Sequence, residues 1–183
     1  MEKNKYVGLS IGIDPSLCET GIVGLRAGKI VFSHLIKTKK EGDLPINELQ
    51  RLRDIVDEVK FILDKYNPAI VVMESVAMSA RNTTALSQLC GLNYMIRDVA
   101  YKNWKVVMIT PTGLKKFITG KGNCQKDLIL LETYKRYKIS FNNNNSADSH
   151  AMARVGEAII NPEIKKTKSQ EEVLETLKKQ YGQ

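Results

Sequence analysis

The chain has 183 residues, of which 43% are hydrophobic and 26% charged; this suits one soluble globular domain with a real core and excludes global disorder. Lys and Arg exceed Asp and Glu by 28 to 20, and the resulting formal charge of +8 favours a polyanionic partner while saying nothing of fold. Met1 is not followed by a signal-like apolar segment, and no run approaches the roughly 18 apolar residues of a membrane span, so no membrane association is expected. Cys18, Cys90 and Cys124 lack paired metal-ligand spacing, which predicts buried thiols, no zinc, and an intracellular, cytoplasmic location.

In chain order, β-rich stretches near residues 6–13, 20–26 and 29–37 open the fold, with Ala27-Gly28 as a hairpin signal between the second and third. After the polar stretch Lys39 to Pro45, Ile46, Leu49, Leu52, Ile55, Val56, Val59, Ile62 and Leu63 recur at helical spacing, and Pro68 marks the stop. Ala69 to Met73 is a fourth strand, Thr83 to Tyr101 a helix, and Lys105 to Ile109 a fifth strand closed by Thr110-Pro111. Three consecutive strands followed by helical crossovers predict an α/β fold with a mixed five-stranded sheet flanked by helices. The boundaries drawn are 1–160 for the main domain and 161–183 for a basic linker, Lys165-Lys166-Thr167-Lys168, with a short helical tail over Glu171 to Lys179.

Three carboxylates end or begin such elements. Asp14 closes the apolar run before Pro15-Ser16, Glu74 closes the fourth strand, and Asp148 stands early in a small-residue helical stretch, Ser146 to Ala153. An Asp before a turn is an ordinary turn former. If the first and fourth strands are neighbours, however, Asp14 and Glu74 share one sheet end, and a helix beginning near Asn145 brings Asp148 to them. Clustered carboxylates repel, and a cation relieves that repulsion. All-oxygen ligation suits Mg²⁺, with Mn²⁺ as a substitute. Paired ions of this kind hydrolyse phosphodiesters.

From Ile11 to Ala153 the chain resembles the RuvC-like Holliday junction resolvases of the ribonuclease-H-like superfamily. The resemblance rests on Asp14-Pro15 with Thr20-Gly21, on Glu74, and on Ala147-Asp148 with Ala151 and Ala153. It implies a ribonuclease-H-like fold and a structure-selective endodeoxyribonuclease that cuts Holliday junctions and other branched DNA, leaving a 5′-phosphate. Asp14, Glu74 and Asp148 then hold the metal. Lys115, Gly120, Gly122 and Lys126 stand at the family's spacing for a DNA-contacting segment, with Lys126 nearest the reacting phosphate. Leu86, Leu89, Leu92, Met95 and Ile96 form a helical stripe that reads mostly as core; the resemblance also implies a homodimer, formed through this helix, in a bacterial or phage-infected cell.

The chain departs from the family at two positions. Asn145 occupies the place of a fourth acidic or His ligand, three residues before Asp148; its amide oxygen can coordinate but brings no charge. His150 lies about 200° around a helix from Asp148 and is expected to face away. Ala77 replaces the aromatic wedge of the bacterial enzymes, which allows a broader branched-DNA preference, forks and flaps included.

Arg81 and Asn82 are readable as phosphate contacts or as the polar start of the Thr83 helix, and Lys135 to Lys138 as a solvated helix end. His34 sits in a strand pattern as a structural residue. Two other readings remain: a branched-DNA-binding protein that lost turnover through Asn145, and one lobe of an actin-like ATPase or kinase, against which the length argues.

Overall fold

A computed structural model describes residues 8–76, 83–125 and 128–181. Its elements are β1 (Ser10–Asp14), β2 (Glu19–Arg26), β3 (Lys29–Lys37), α1 (Pro45–Tyr66), β4 (Ile70–Glu74), α2 (Thr83–Tyr101), β5 (Val106–Ile109), α3 (Pro111–Thr119), α4 (Leu128–Tyr137), α5 (Asn144–Ile160) and α6 (Lys168–Tyr181). The strands form one five-stranded sheet in the order β3-β2-β1-β4-β5. The first three strands meander antiparallel, through a β2–β3 turn whose Ala27 and Gly28 both have positive φ. β4 and β5 are added in parallel to β1. The mixed sheet is as expected from the sequence, and the parallel pairing of β1 with β4 meets the condition under which Asp14 and Glu74 share one sheet end.

Alternation of side chains divides the core. Ile11, Ile13, Val71 and Met73 face α1 and α2, whereas Ile70, Val72, Val107 and Ile109 face α3, α5 and α6. The same period of two puts Asp14 on the face of Ser10 and Gly12, and Glu74 on the face of Ile70 and Val72. That is the α5 side of the sheet. α5 lies unusually close to the strands because Gly12 and Gly21 have no Cβ. One built on Gly12 would meet the Ser149 carbonyl at 2.0 Å, and one on Gly21 the Asn145 carbonyl at 2.6 Å.

Several expectations change. Ile46 and Leu49 belong to the helical pattern of α1 but are 59% and 38% exposed, so its buried stripe begins at Leu52. Thr110-Pro111 starts a helix as well as ending a strand: the Thr110 hydroxyl accepts from the Gly113 N–H at 3.1 Å, and Pro111, lacking an N–H, occupies the first turn of α3. Cys18 is exposed and Cys90 and Cys124 are half-buried, all three free thiols, which corrects the expectation of buried ones. Their places in a turn, on a cavity-facing helix and in a loop carry no hydrophobic demand. α6 packs Val173, Leu174 and Leu177 into the cluster that holds Leu114, Phe117 and Ile118 of α3, and Lys116 pairs with Glu172 at 2.7 Å.

Candidate active site

The two acid-bearing strand ends open into one cavity of about 440 Å³. Asp14, Glu74 and Asn145 are all on its wall, together with Pro15 to Cys18 of the β1–β2 turn and Leu86, Leu89 and Asn93 of α2. Leu86 and Leu89 of the apolar stripe are thus only half-buried and line this cavity, whereas Leu92 and Ile96 are core.

Parallel pairing creates the convergence. Ile13 is opposite Met73, so β1 and β4 each run one residue further and stop together on a carboxylate. Two contacts fix the β4 end: Asn93, almost fully buried, donates to the Glu74 carbonyl at 3.0 Å, and the Ser75 N–H donates to the Ile109 carbonyl at 2.8 Å. Neither contact has a signal in the local sequence.

α5 supplies the third side. Its cap is Asn143, whose side chain accepts from the Ser146 N–H at 2.7 Å. Asn145 Nδ2 donates to the Glu19 carbonyl at 2.6 Å. A carbonyl only accepts, so this bond fixes the amide orientation and makes Oδ1 the side-chain atom that could hold a cation. Asp148, one turn on, is 8% exposed and is not on the cavity wall. Among the described residues, no group of three or more His, Cys, Asp and Glu side chains is gathered tightly enough to hold a metal ion.

The donor set nonetheless fits a hard cation. Mg²⁺ typically takes one or two carboxylates and keeps several waters, and Asp14, Glu74 and the Asn145 amide oxygen offer two carboxylates and a neutral oxygen. Two carboxylates at one strand end also favour a cation between them, because each raises the cost of ionising the other.

His150 faces away, as expected. It is fully buried beside Tyr137 and Phe141, with ring centroids 5.3 and 5.4 Å away, and accepts from Arg154 Nε at 3.2 Å. Burial, and secondarily the Arg154 charge, push its pKa down from 6.5 to about 3. Neutral, with Nε2 accepting, it carries its proton on Nδ1, which has no hydrogen-bond partner among the described residues. Burial pushes the Tyr137 hydroxyl above its usual range. His34 meets Glu58 at 2.5 Å on the sheet surface.

In the segment of expected DNA contacts, Lys115 Nζ donates to the Cys124 carbonyl at 3.0 Å, closing the loop that contains Gly120 and Gly122. Gly120 ends α3 in a left-handed conformation. Lys126, Arg81, Asn82 and Ala77 lie outside the described residues.

A mixed sheet with acids at the ends of adjacent first and fourth strands, covered by a helix carrying a third, defines a ribonuclease-H-like fold. Solved structures agree: the chain is similar to Thermus thermophilus RuvC in complex with a Holliday junction substrate (TM-score 0.68, 19% identity, 80% of this chain and 90% of that one). It is also similar to the yeast mitochondrial Holliday junction resolvase (TM-score 0.57, 16% identity, 94% and 83%). The model of the family described as crossover junction endodeoxyribonuclease RuvC matches residues 10–155, and the chain belongs to that family. Curated relatives of that name from Corynebacterium diphtheriae and Neorickettsia sennetsu are 28% and 29% identical, over 63% and 64% of this chain and 72% of each relative.

Proposed function

We infer that this chain is a divalent-metal-dependent, structure-selective endodeoxyribonuclease that hydrolyses phosphodiester bonds in Holliday junctions and other branched DNA. The observation that carries this reading is the meeting of Asp14, Glu74 and Asn145 in one cavity, in a member of the RuvC family. Asp14 and Glu74 bind Mg²⁺, for which Mn²⁺ substitutes; Asn145 adds a neutral oxygen, and Asp148 supplies the third carboxylate from the same face of α5. When bound, the metal activates water and stabilises charge on the leaving oxygen. The protein's own part is to orient: Asn93 fixes the Glu74 end, and Glu19 aims the Asn145 amide. The expected product end is a 5′-phosphate.

The formal charge of +8 supports attraction to DNA phosphate. Lys126 acts at the reacting phosphate, with Arg81 and Asn82 as flanking contacts. Gly120 and Gly122 let the backbone approach DNA, and Lys115 contributes through the loop that it closes. A homodimer forms through the outer face of α2. Residues 1–160 carry the nuclease, and 161–183 add the helix that packs on α3. Bacterial relatives and free thiols support a cytoplasmic setting, and among the described residues no helix is long and apolar enough to cross a membrane.

The test is incubation of labelled four-way junctions and matched linear duplex, with and without Mg²⁺ and ATP. Metal-dependent nicking of the junction in preference to the duplex, without need of ATP, is expected. Junction binding without cleavage would identify a binding protein that lost turnover, and ATP hydrolysis a kinase-like lobe.

A further inference from the structure

We propose that Arg51 is a positioning residue for this site: with Thr38 it clamps the β1–β2 turn that forms one wall of the cavity. The proposal rests on the nuclease reading above for its effect on metal use, whereas the clamp itself is a matter of geometry.

The turn, Pro15 to Cys18, leaves Asp14 and returns into β2, so its path sets where the Asp14 carboxylate ends. Its inner side is tied locally. The Thr20 hydroxyl donates to the Ser16 carbonyl at 2.7 Å and accepts from the Ser16 N–H at 3.1 Å. Its outer side is tied from far away. Arg51, 34 residues on and in α1, donates from Nη2 to the Leu17 carbonyl and from Nε to the Thr38 hydroxyl at 3.0 Å. That hydroxyl in turn donates to the same Leu17 carbonyl at 2.5 Å, and the Thr38 N–H donates to the Cys18 carbonyl at 3.0 Å.

Three elements, α1, the end of β3 and the turn, thus meet at one carbonyl. The planar guanidinium fork matches this arrangement, since two N–H groups on one side reach two acceptors at a fixed separation; a lysine offers no such fork. Among the described residues, no ion pair includes Arg51. Its charge is directed at the Thr38 hydroxyl and at a backbone oxygen of a turn that carries a candidate metal ligand at its edge. Groups that orient metal ligands typically change metal affinity or activity by about 10–100-fold when removed.

The experiment compares wild type with Arg51→Ala, Arg51→Lys and Thr38→Val. In metal-free protein, hydrogen exchange at the Thr38 and Ser16 amides should speed about tenfold in Arg51→Ala, and less in Thr38→Val. In junction cleavage, the Mg²⁺ concentration for half-maximal rate should rise about tenfold in Arg51→Ala and stay raised in Arg51→Lys, which restores charge without the fork. Junction affinity in EDTA and its salt dependence should match wild type. Unchanged exchange and metal requirement would overturn the clamp. A salt slope shallower by about one unit with weaker binding would make Arg51 a phosphate contact instead. Should wild type itself fail to cleave with any metal, the nuclease reading fails, and exchange still decides whether the clamp exists.

Discussion

Two short irregular segments frame the proposed chemistry, the turn after Asp14 and the loop after α3, and each is held by one basic side chain on backbone carbonyls. They differ in reach. Lys115 closes its loop from nine residues away with one ammonium contact, while Arg51 reaches its turn across 34 residues and shares it with Thr38. A local tie keeps a segment's own shape; a long-range tie also fixes where that segment sits relative to the rest of the fold. The turn beside the proposed metal ligand Asp14 has the long-range tie, and the segment proposed to meet DNA has the local one.

The sharpest break in this comparison would come at the acids. Asp14→Asn, Glu74→Gln and Asp148→Asn should each lower single-turnover cleavage by at least about a hundredfold, while thermal stability and junction binding in EDTA are retained. Near wild-type cleavage by any one variant would remove that residue from the site.

The helix that carries Asn145 and Asp148 should show itself through pH. His150 has its pKa depressed in the folded state, so between about 6.5 and 3 the unfolded chain binds the extra proton and stability falls as pH falls. The loss should approach about 2 kcal/mol at pH 5. His150→Phe should lower the plateau, since Arg154 loses an acceptor, yet flatten the slope between pH 7 and 5 in denaturant melts. An equal slope in both proteins would show that His150 is not the titrating group.

Asn145 joins the two sides of the cavity, and its replacement by Asp should act in opposite directions. The added charge should lower the Mg²⁺ concentration for half-maximal cleavage. Losing the Nδ2 donor to Glu19 and facing a carboxylate toward that carbonyl should destabilise metal-free protein by about 1 kcal/mol, a deficit that Mg²⁺ reverses. Identical melting and metal requirement would take the residue out of the site.

The smallest effect belongs to the local tie. Lys115→Ala should cost about 0.5–1 kcal/mol of stability and weaken junction binding modestly, with the salt slope unchanged because the ammonium is directed at Cys124. A slope reduced by about one unit would mean a direct phosphate contact.

Local patterns made much of this legible from sequence. Alternation and apolar runs gave the strands, Ala27-Gly28 the hairpin, and the abrupt endings on Asp14 and Glu74 the shared sheet end. Small residues in α5 mark a helical stretch, but the close approach of that helix depends on Gly12 and Gly21 on the strands, which no local pattern connects to it. α3 was hidden because Pro111 reads as a stop, and only the Thr110 cap turns it into a start. Arg51 lies on the polar side of a helical pattern, and no local rule connects it to Leu17. The cavity role of Leu86 and Leu89 was likewise invisible, for a leucine stripe reads as core whether it meets a sheet or the edge of an opening.

Everything proposed for this site depends on the carboxylates at the ends of β1 and β4 holding the metal. Calorimetric titration of Mn²⁺ into wild type, Asp14→Asn and Glu74→Gln, without DNA, tests it most directly. Wild type should bind, with affinity reduced at least about tenfold in each folded variant; variant isotherms indistinguishable from wild type would show that these carboxylates do not hold the metal.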